Sequence, residues 1–234
     1  NKNGIVIPKE VHAILNLANK NGIDTIDTAK AYGKSENVIG QYIKKKKTTW
    51  KIISKYENYN EGIKNQVLRS AKLLNTTPDI VLAHNVSFFM DSRFQSEVNR
   101  LRDEGIIKKI GVSIYSEKEI DIVLKSKLKP EVVQVPINIL DTRLYYNGCL
   151  ERLVSEKIQI HARSIFLQGL FYLTSAELKE NFRDAVSALK RLHVIAEKYE
   201  LSIAELSLLW VASLDYISKI IIGVENSKQL RSHI

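Results

Sequence analysis

Cysteine is almost missing from the chain: Cys149 stands alone among 234 residues. A single thiol excludes an intramolecular disulfide and suits a reducing compartment. Long apolar runs are missing too, and none reaches the length that spans a bilayer. The opening stretch, NKNGIVIPKE, lacks the charged, apolar and small-residue succession of a secretory signal. The expected setting is cytoplasmic, with no membrane partner. Aromatic residues make up 8% of the chain, and no basic stretch interleaves with them. No nucleic-acid partner is expected on that ground, although the formal net charge is +9. The run Lys44 to Lys47 reads as a solvated helix end. A Gly-x-Gly-x-x-Gly turn is absent, and no metal site is expected.

Seven short runs rich in β-branched residues are present: GIDTID (22–27), WKIISK (50–55), DIVLAH (79–84), KIGVSI (109–114), VVQVPI (132–137), IQIHAR (158–163) and KIIIGV (219–224). Most are too continuous for a strand with one wet face, and they suit strands of a parallel sheet covered on both sides. Helical periodicity fills the gaps. It starts at Pro8 with Val11, Ile14, Leu15 and Ala18, continues over 61–74, around Phe94, Ile120 and Leu150, and gives two helices over 176–213. The strand ends Asp27, Lys55, His84 and Ser113 recur about every 28–29 positions, the rhythm of one strand, one helix and two loops. Without a glycine-rich turn after an early strand, a (β/α)8 TIM barrel is preferred to a doubly wound sheet. The fold class is thus α/β, one barrel domain over residues 1–234. Seven of its eight strands are visible, so the eighth is expected before residue 1, with more helix after residue 234.

Barrel chemistry sits at the C-terminal ends of the strands. Asp27, Lys55 and His84 close three consecutive strands, and Tyr32 lies in the loop after the first. Singly, each has a bland explanation: a turn cap, a surface lysine, a core histidine, a packed tyrosine. Together they place four ionisable groups on one rim.

The stretch GIDTIDTAKAYGKSENVIG, residues 22–40, resembles the signature of the aldo-keto reductases, with every element of that signature present. The likeness extends through IISK, DIVLAH, GIIKKIGVS, VVQVPINILD, RSIFLQGL and IIIGV in order, over nearly the whole chain. The resemblance implies reduction of an aldehyde or ketone by NADPH, with NADH possible because the tail departs from the family pattern. It implies Tyr32 as general acid, Lys55 as the cation that tunes it, Asp27 as the partner that holds Lys55, and His84 as the group that orients the substrate oxygen. A free tyrosine titrates near 10, and a neighbouring ammonium favours its ionised form. For the cofactor it implies Ser113 and Gln134 on the nicotinamide carboxamide, then Arg163, Ser164, Gln168 and Gly169 after the next strand. Gly223, Gln229 and His233 follow in the tail, where Gln229 stands in place of a family arginine, with Lys228 and Arg231 beside it. Ile114 stands where the family often has asparagine. Two rivals remain: a barrel that binds the cofactor as a sensor or subunit, and a Schiff-base lyase using Lys55. The expected partner is a small-molecule carbonyl; oligomeric state and substrate are left open.

Overall fold

A computed structural model describes residues 6–59, 61–173 and 183–234. The chain divides into two compact units, Lys2–Gln134 with Val224–Ile234, and Val135–Gly223.

In the first unit helices and strands alternate: α1 (Pro8–Lys20), β1 (Thr25–Ala29), α2 (Ser35–Lys46), β2 (Lys51–Tyr56), α3 (Ile63–Leu74), β3 (Ile80–Ala83), α4 (Val86–Phe89), α5 (Ser92–Asp103), β4 (Lys109–Ser113), α6 (Glu117–Lys125) and the start of β5 (Val132–Pro136). Pro8 opens α1, where its missing N–H costs nothing. Leu15 and Ala18 of that helix are buried, and Val11 and Ile14 half-buried, on the face the periodicity predicts. Helix α6 starts in a capping box between Ser116 and Glu119. The short α4, capped by the Asn85 side chain, has no counterpart in the sequence pattern. Neighbouring strands from β1 to β5 pair in parallel, for instance Ala29 with Lys55, Tyr56 with Ala83 and Ser113 with Gln134. Consecutive residues Ile52 and Ile53, and Val81 and Leu82, are fully buried, so both faces of the sheet are covered. Gly40 lets α2 approach α3: a Cβ there would stand 1.9 Å from the Leu73 carbonyl oxygen. Helix α11 (Ser227–Arg231) returns to α1, and the Ser227 N–H donates to Glu10 at 2.6 Å.

The sheet of this unit is curled. Flat strands at about 4.8 Å spacing would put β1 and β5 roughly 19 Å apart. Yet the Gln134 amide on β5 donates to the Asp27 carboxylate on β1 at 2.6 Å. Only a sheet bending round its own inner face brings those side chains together.

The second unit takes β5 onward into α7 (Arg143–Tyr146), α8 (Cys149–Ser155), β6 (Gln159–Arg163), α9 (Val186–Lys198), α10 (Ile203–Ala212) and β7 (Ile217–Ile220). Strand β6 pairs in parallel with β7, with an irregularity between Ile160 and His161. Helix α10 starts in a second capping box, Ser202 with Glu205. The buried Ser207 hydroxyl on α10 donates to the Ile165 carbonyl at 2.8 Å, fastening that helix to the loop after β6. Two expectations shift. The last strand, expected over 219–224, runs Ile217–Ile220, because after the irregularity only the Ile221 N–H extends the ladder, to Ala162. Of the helices expected over 176–213, α9 and α10 are present, and 176–182 lie outside the described residues.

Candidate active site

Four predicted residues converge in the first unit. Asp27, third in β1, projects from the curled sheet and receives the Lys55 ammonium on one oxygen and the Gln134 amide on the other. The Lys55 side chain is 4% exposed and that of Asp27 14% exposed, so this ion pair lies almost out of water. A charge so placed needs a partner and hydrogen bonds, and Asp27 has both. The Lys55 ammonium lies over the Tyr32 ring, 5.4 Å from its centroid. Tyr32 is 49% exposed, the outermost of the three. Charge, cation and phenol are thus stacked from the sheet interior to the rim.

The loop that carries Tyr32 is pinned at both ends. The Tyr32 N–H donates to the Ala29 carbonyl at 3.0 Å, and the Ser35 N–H to the Tyr32 carbonyl at 3.1 Å. Beyond it, the Thr28 and Ser35 hydroxyls meet at 3.0 Å, and Ser54 donates to buried Glu36 at 2.8 Å. The Ser-Glu of the sequence signature therefore anchors this loop to β1 and β2. Tyr56, next to Lys55, points into the packed interior; burial pushes its phenol up to about 12, with the Ser54 and Ser70 hydroxyls and Glu36 as lesser influences.

His84 follows β3, where its N–H donates to the Tyr56 carbonyl at 2.8 Å. Its Nδ1 lies 3.3 Å from a carboxylate oxygen of Glu57, half-exposed just beyond β2. Sequence reasoning missed Glu57; its only signal was a place two residues past Lys55, in KYENYNEG. Ser113 is buried at the end of β4 and registers with Gln134, so both expected carboxamide ligands stand side by side. Ile114, in place of asparagine, is fully buried. In the tail, the Gln229 side chain accepts from the Glu225 N–H at 2.7 Å and closes the turn ahead of α11. His233 is half-buried just after that helix, while Lys228 and Arg231 are exposed.

In the second unit, Arg163 ends β6 and its guanidinium reaches the Ser164 hydroxyl at 3.3 Å. Ser164, Leu167, Gln168 and Gly169 all have positive φ, at 60°, 45°, 53° and 94°. Non-glycine residues hold such angles where their surroundings over-determine them. Buried Asn138 is one such constraint, donating to the Ser164 carbonyl at 3.2 Å. Gly223 is exposed with open space around it. Among the described residues no group of three or more metal-ligating side chains occurs.

The sequence profile of the Aldo/keto reductase family matches residues 1–234. The chain belongs to that family. Solved aldo-keto reductases share its fold. One from Klebsiella pneumoniae, in complex with NADP and acetate, has a TM-score of 0.77 at 19% identity, covering 97% of this chain and 78% of its own. A second from the same organism, in complex with NADPH, gives 0.75 at 19% identity with the same coverage. A Pseudomonas aeruginosa protein described as an aldo-keto reductase gives 0.72 at 20% identity, covering 98% and 80%. No curated protein matches. The likeness over nearly the whole chain makes the fold of this aldo/keto reductase the (β/α)8 fold of the family, with seven parallel strands in the residues described.

Proposed function

We propose that the chain reduces an aldehyde or ketone to an alcohol with NADPH, Tyr32 acting as general acid. The observation that carries this reading is the buried Asp27–Lys55 pair beneath the exposed Tyr32 ring. A carbonyl that gains hydride develops charge on oxygen and needs a proton there. Tyr32 is exposed enough to meet a substrate and can donate its phenolic proton to that oxygen. The phenolate left behind faces the Lys55 ammonium, which offsets the new negative charge at short range. Asp27 holds Lys55 in place, and Gln134 keeps Asp27 from turning. His84 would hydrogen-bond the substrate oxygen, with Glu57 accepting at its other nitrogen.

NADPH, which the Klebsiella pneumoniae structure is described as binding, supplies the hydride when bound. Side chains of the first unit suit such a group: the Ser113 hydroxyl and the Gln134 amide match a carboxamide, and Lys228 and Arg231 offer cations for phosphates. The family match over residues 1–234 supports reading the chain as one domain of this kind. The test pairs two assays. NADPH titration followed by Trp50 and Trp210 fluorescence should saturate in the wild type and in Tyr32→Phe, while NADPH consumption with a panel of aldehydes should vanish in the variant alone. Near-normal turnover of Tyr32→Phe would remove the acid assignment. Saturation without turnover in the wild type would support a cofactor-binding barrel instead.

A further inference from the structure

Charge is unevenly placed in the first unit. Because its strands are parallel, every helix-to-strand connection lies at one edge of the sheet and every strand-to-helix connection at the other. The candidate active site occupies the second edge. The first comprises residues 20–24, 44–51, 72–79, 100–109 and 125–131. These segments hold fourteen lysines and arginines against five acidic residues. Their surplus equals the +9 of the entire chain, so all the other residues together are neutral.

The five acids are already engaged. Asp24 pairs with Lys51 at 2.5 Å, Asp79 with Lys108 at 2.5 Å, Glu131 with Arg102 at 3.3 Å, Glu104 with Arg100 at 3.6 Å, and Asp103 with Arg102 at 3.8 Å. Among the described residues, no acidic group lies within 4.0 Å of Lys44, Lys45, Lys46, Lys47, Lys125 or Lys127, and all six are exposed. A helix C-terminus attracts cations within its last turn, which accounts for one or two lysines per helix. Four in succession at the end of α2 exceed that number and repel one another.

We propose that this edge is an electrostatic docking surface for the anionic face of a lipid bilayer. Among the described residues, the cations of this edge with no acidic group within 4.0 Å include these six lysines, and both arginines of the edge are held in ion pairs. No exposed aromatic lies among them; Trp50, the sole aromatic of these segments, is 5% exposed. Nucleic-acid readers use arginine forks and stacking aromatics, whereas hydrated lysines on flexible stems match the diffuse charge of lipid headgroups. Docking by this edge leaves the Tyr32 edge turned to water. No helix among the described residues is long and apolar enough to cross a membrane, and peripheral attachment requires none.

The full chain is sedimented with phosphatidylcholine vesicles, with and without phosphatidylserine, at low and high salt. Cosedimentation is expected only with phosphatidylserine and only at low salt. Replacing Lys44, Lys45, Lys46 and Lys47 together with Gln should weaken it by about fivefold per lysine, several hundredfold in all. The same four changed to Arg should retain it, and Lys34→Gln with Lys118→Gln on the other edge should leave it unchanged. Circular dichroism checks that each variant is folded. Indifference to phosphatidylserine, or equal binding by the Gln and wild-type chains, overturns the proposal. So does tighter binding to duplex DNA than to the vesicles at the same salt, which would assign the edge to nucleic acid.

Discussion

Replacing Lys55 with Met tests the pair on which the site is built. The ammonium is buried against Asp27, whose side chain is itself only 14% exposed. Removing one partner strands the other charge, a loss of about 3–5 kcal/mol for a buried pair. Gln134 still donates to Asp27, which places the expected cost near the lower figure, about 3 kcal/mol. For a chain of this size that lowers Tm by roughly 6–12 °C. The informative partner is the double variant Lys55→Met with Asp27→Leu. Replacing both charges by apolar groups of similar volume is often neutral or stabilising, so most of the lost stability should return. Activity should not, because no cation then faces the Tyr32 phenolate. Urea denaturation gives the free energies, and NADPH consumption gives the rates. A single variant that loses less than about 1 kcal/mol, or a double variant no more stable than the single, would refute the idea that this pair is a buried and mutually dependent one.

Three further outcomes follow from the geometry. Tyr56 is protonated in the folded chain up to about pH 12, against about 10 when unfolded, so its contribution is complete below pH 10 and falls away as pH rises towards 12. That amounts to about 3 kcal/mol, and Tyr56→Phe should flatten stability measured by denaturation over that window; parallel curves would discount the burial. Gly40→Ala should destabilise by more than about 2 kcal/mol in spite of the better helix propensity of alanine, because the clash is with the α3 backbone; a neutral result by thermal melting would mean that α2 and α3 are not so close. Glu57→Ala should lower kcat with little change in cofactor affinity, and Glu57→Gln, which keeps an acceptor for His84, should recover most of it; equal losses in the two variants would show that hydrogen bonding to His84 is not the role of this residue.

Much of the first unit was legible because its signals are local. Asp27, Lys55 and His84 each close a β-branched run, and such runs bury both faces of a parallel strand. What joins distant segments was not legible. Gln134 reads as a lone polar residue inside an apolar strand, and only the curl of the sheet shows that its amide reaches Asp27. Glu57 sits where no periodicity singles it out. The positive φ values of Ser164, Leu167 and Gln168 leave no trace in composition, since none of them is glycine. Apart from the run Lys44 to Lys47, the lysines of residues 20–131 look scattered in the sequence, and it is the parallel topology that gathers them on one edge. The last strand was misplaced for the opposite reason: Lys219 to Val224 look like a strand, but the paired register with β6 starts at Ile217 and stops at Ile220 opposite Ala162.

The bond between Gln134 and Asp27 joins positions 107 apart in the chain. Contacts of such separation form late, after the closure entropy of everything between them has been met. Each of the strands β1 to β4 can pair with its neighbour before that bond exists, but Asp27 is held on both oxygens only after β5 has arrived. During refolding, secondary structure should therefore return ahead of catalysis, and turnover becomes a clock for the last strand of the curl.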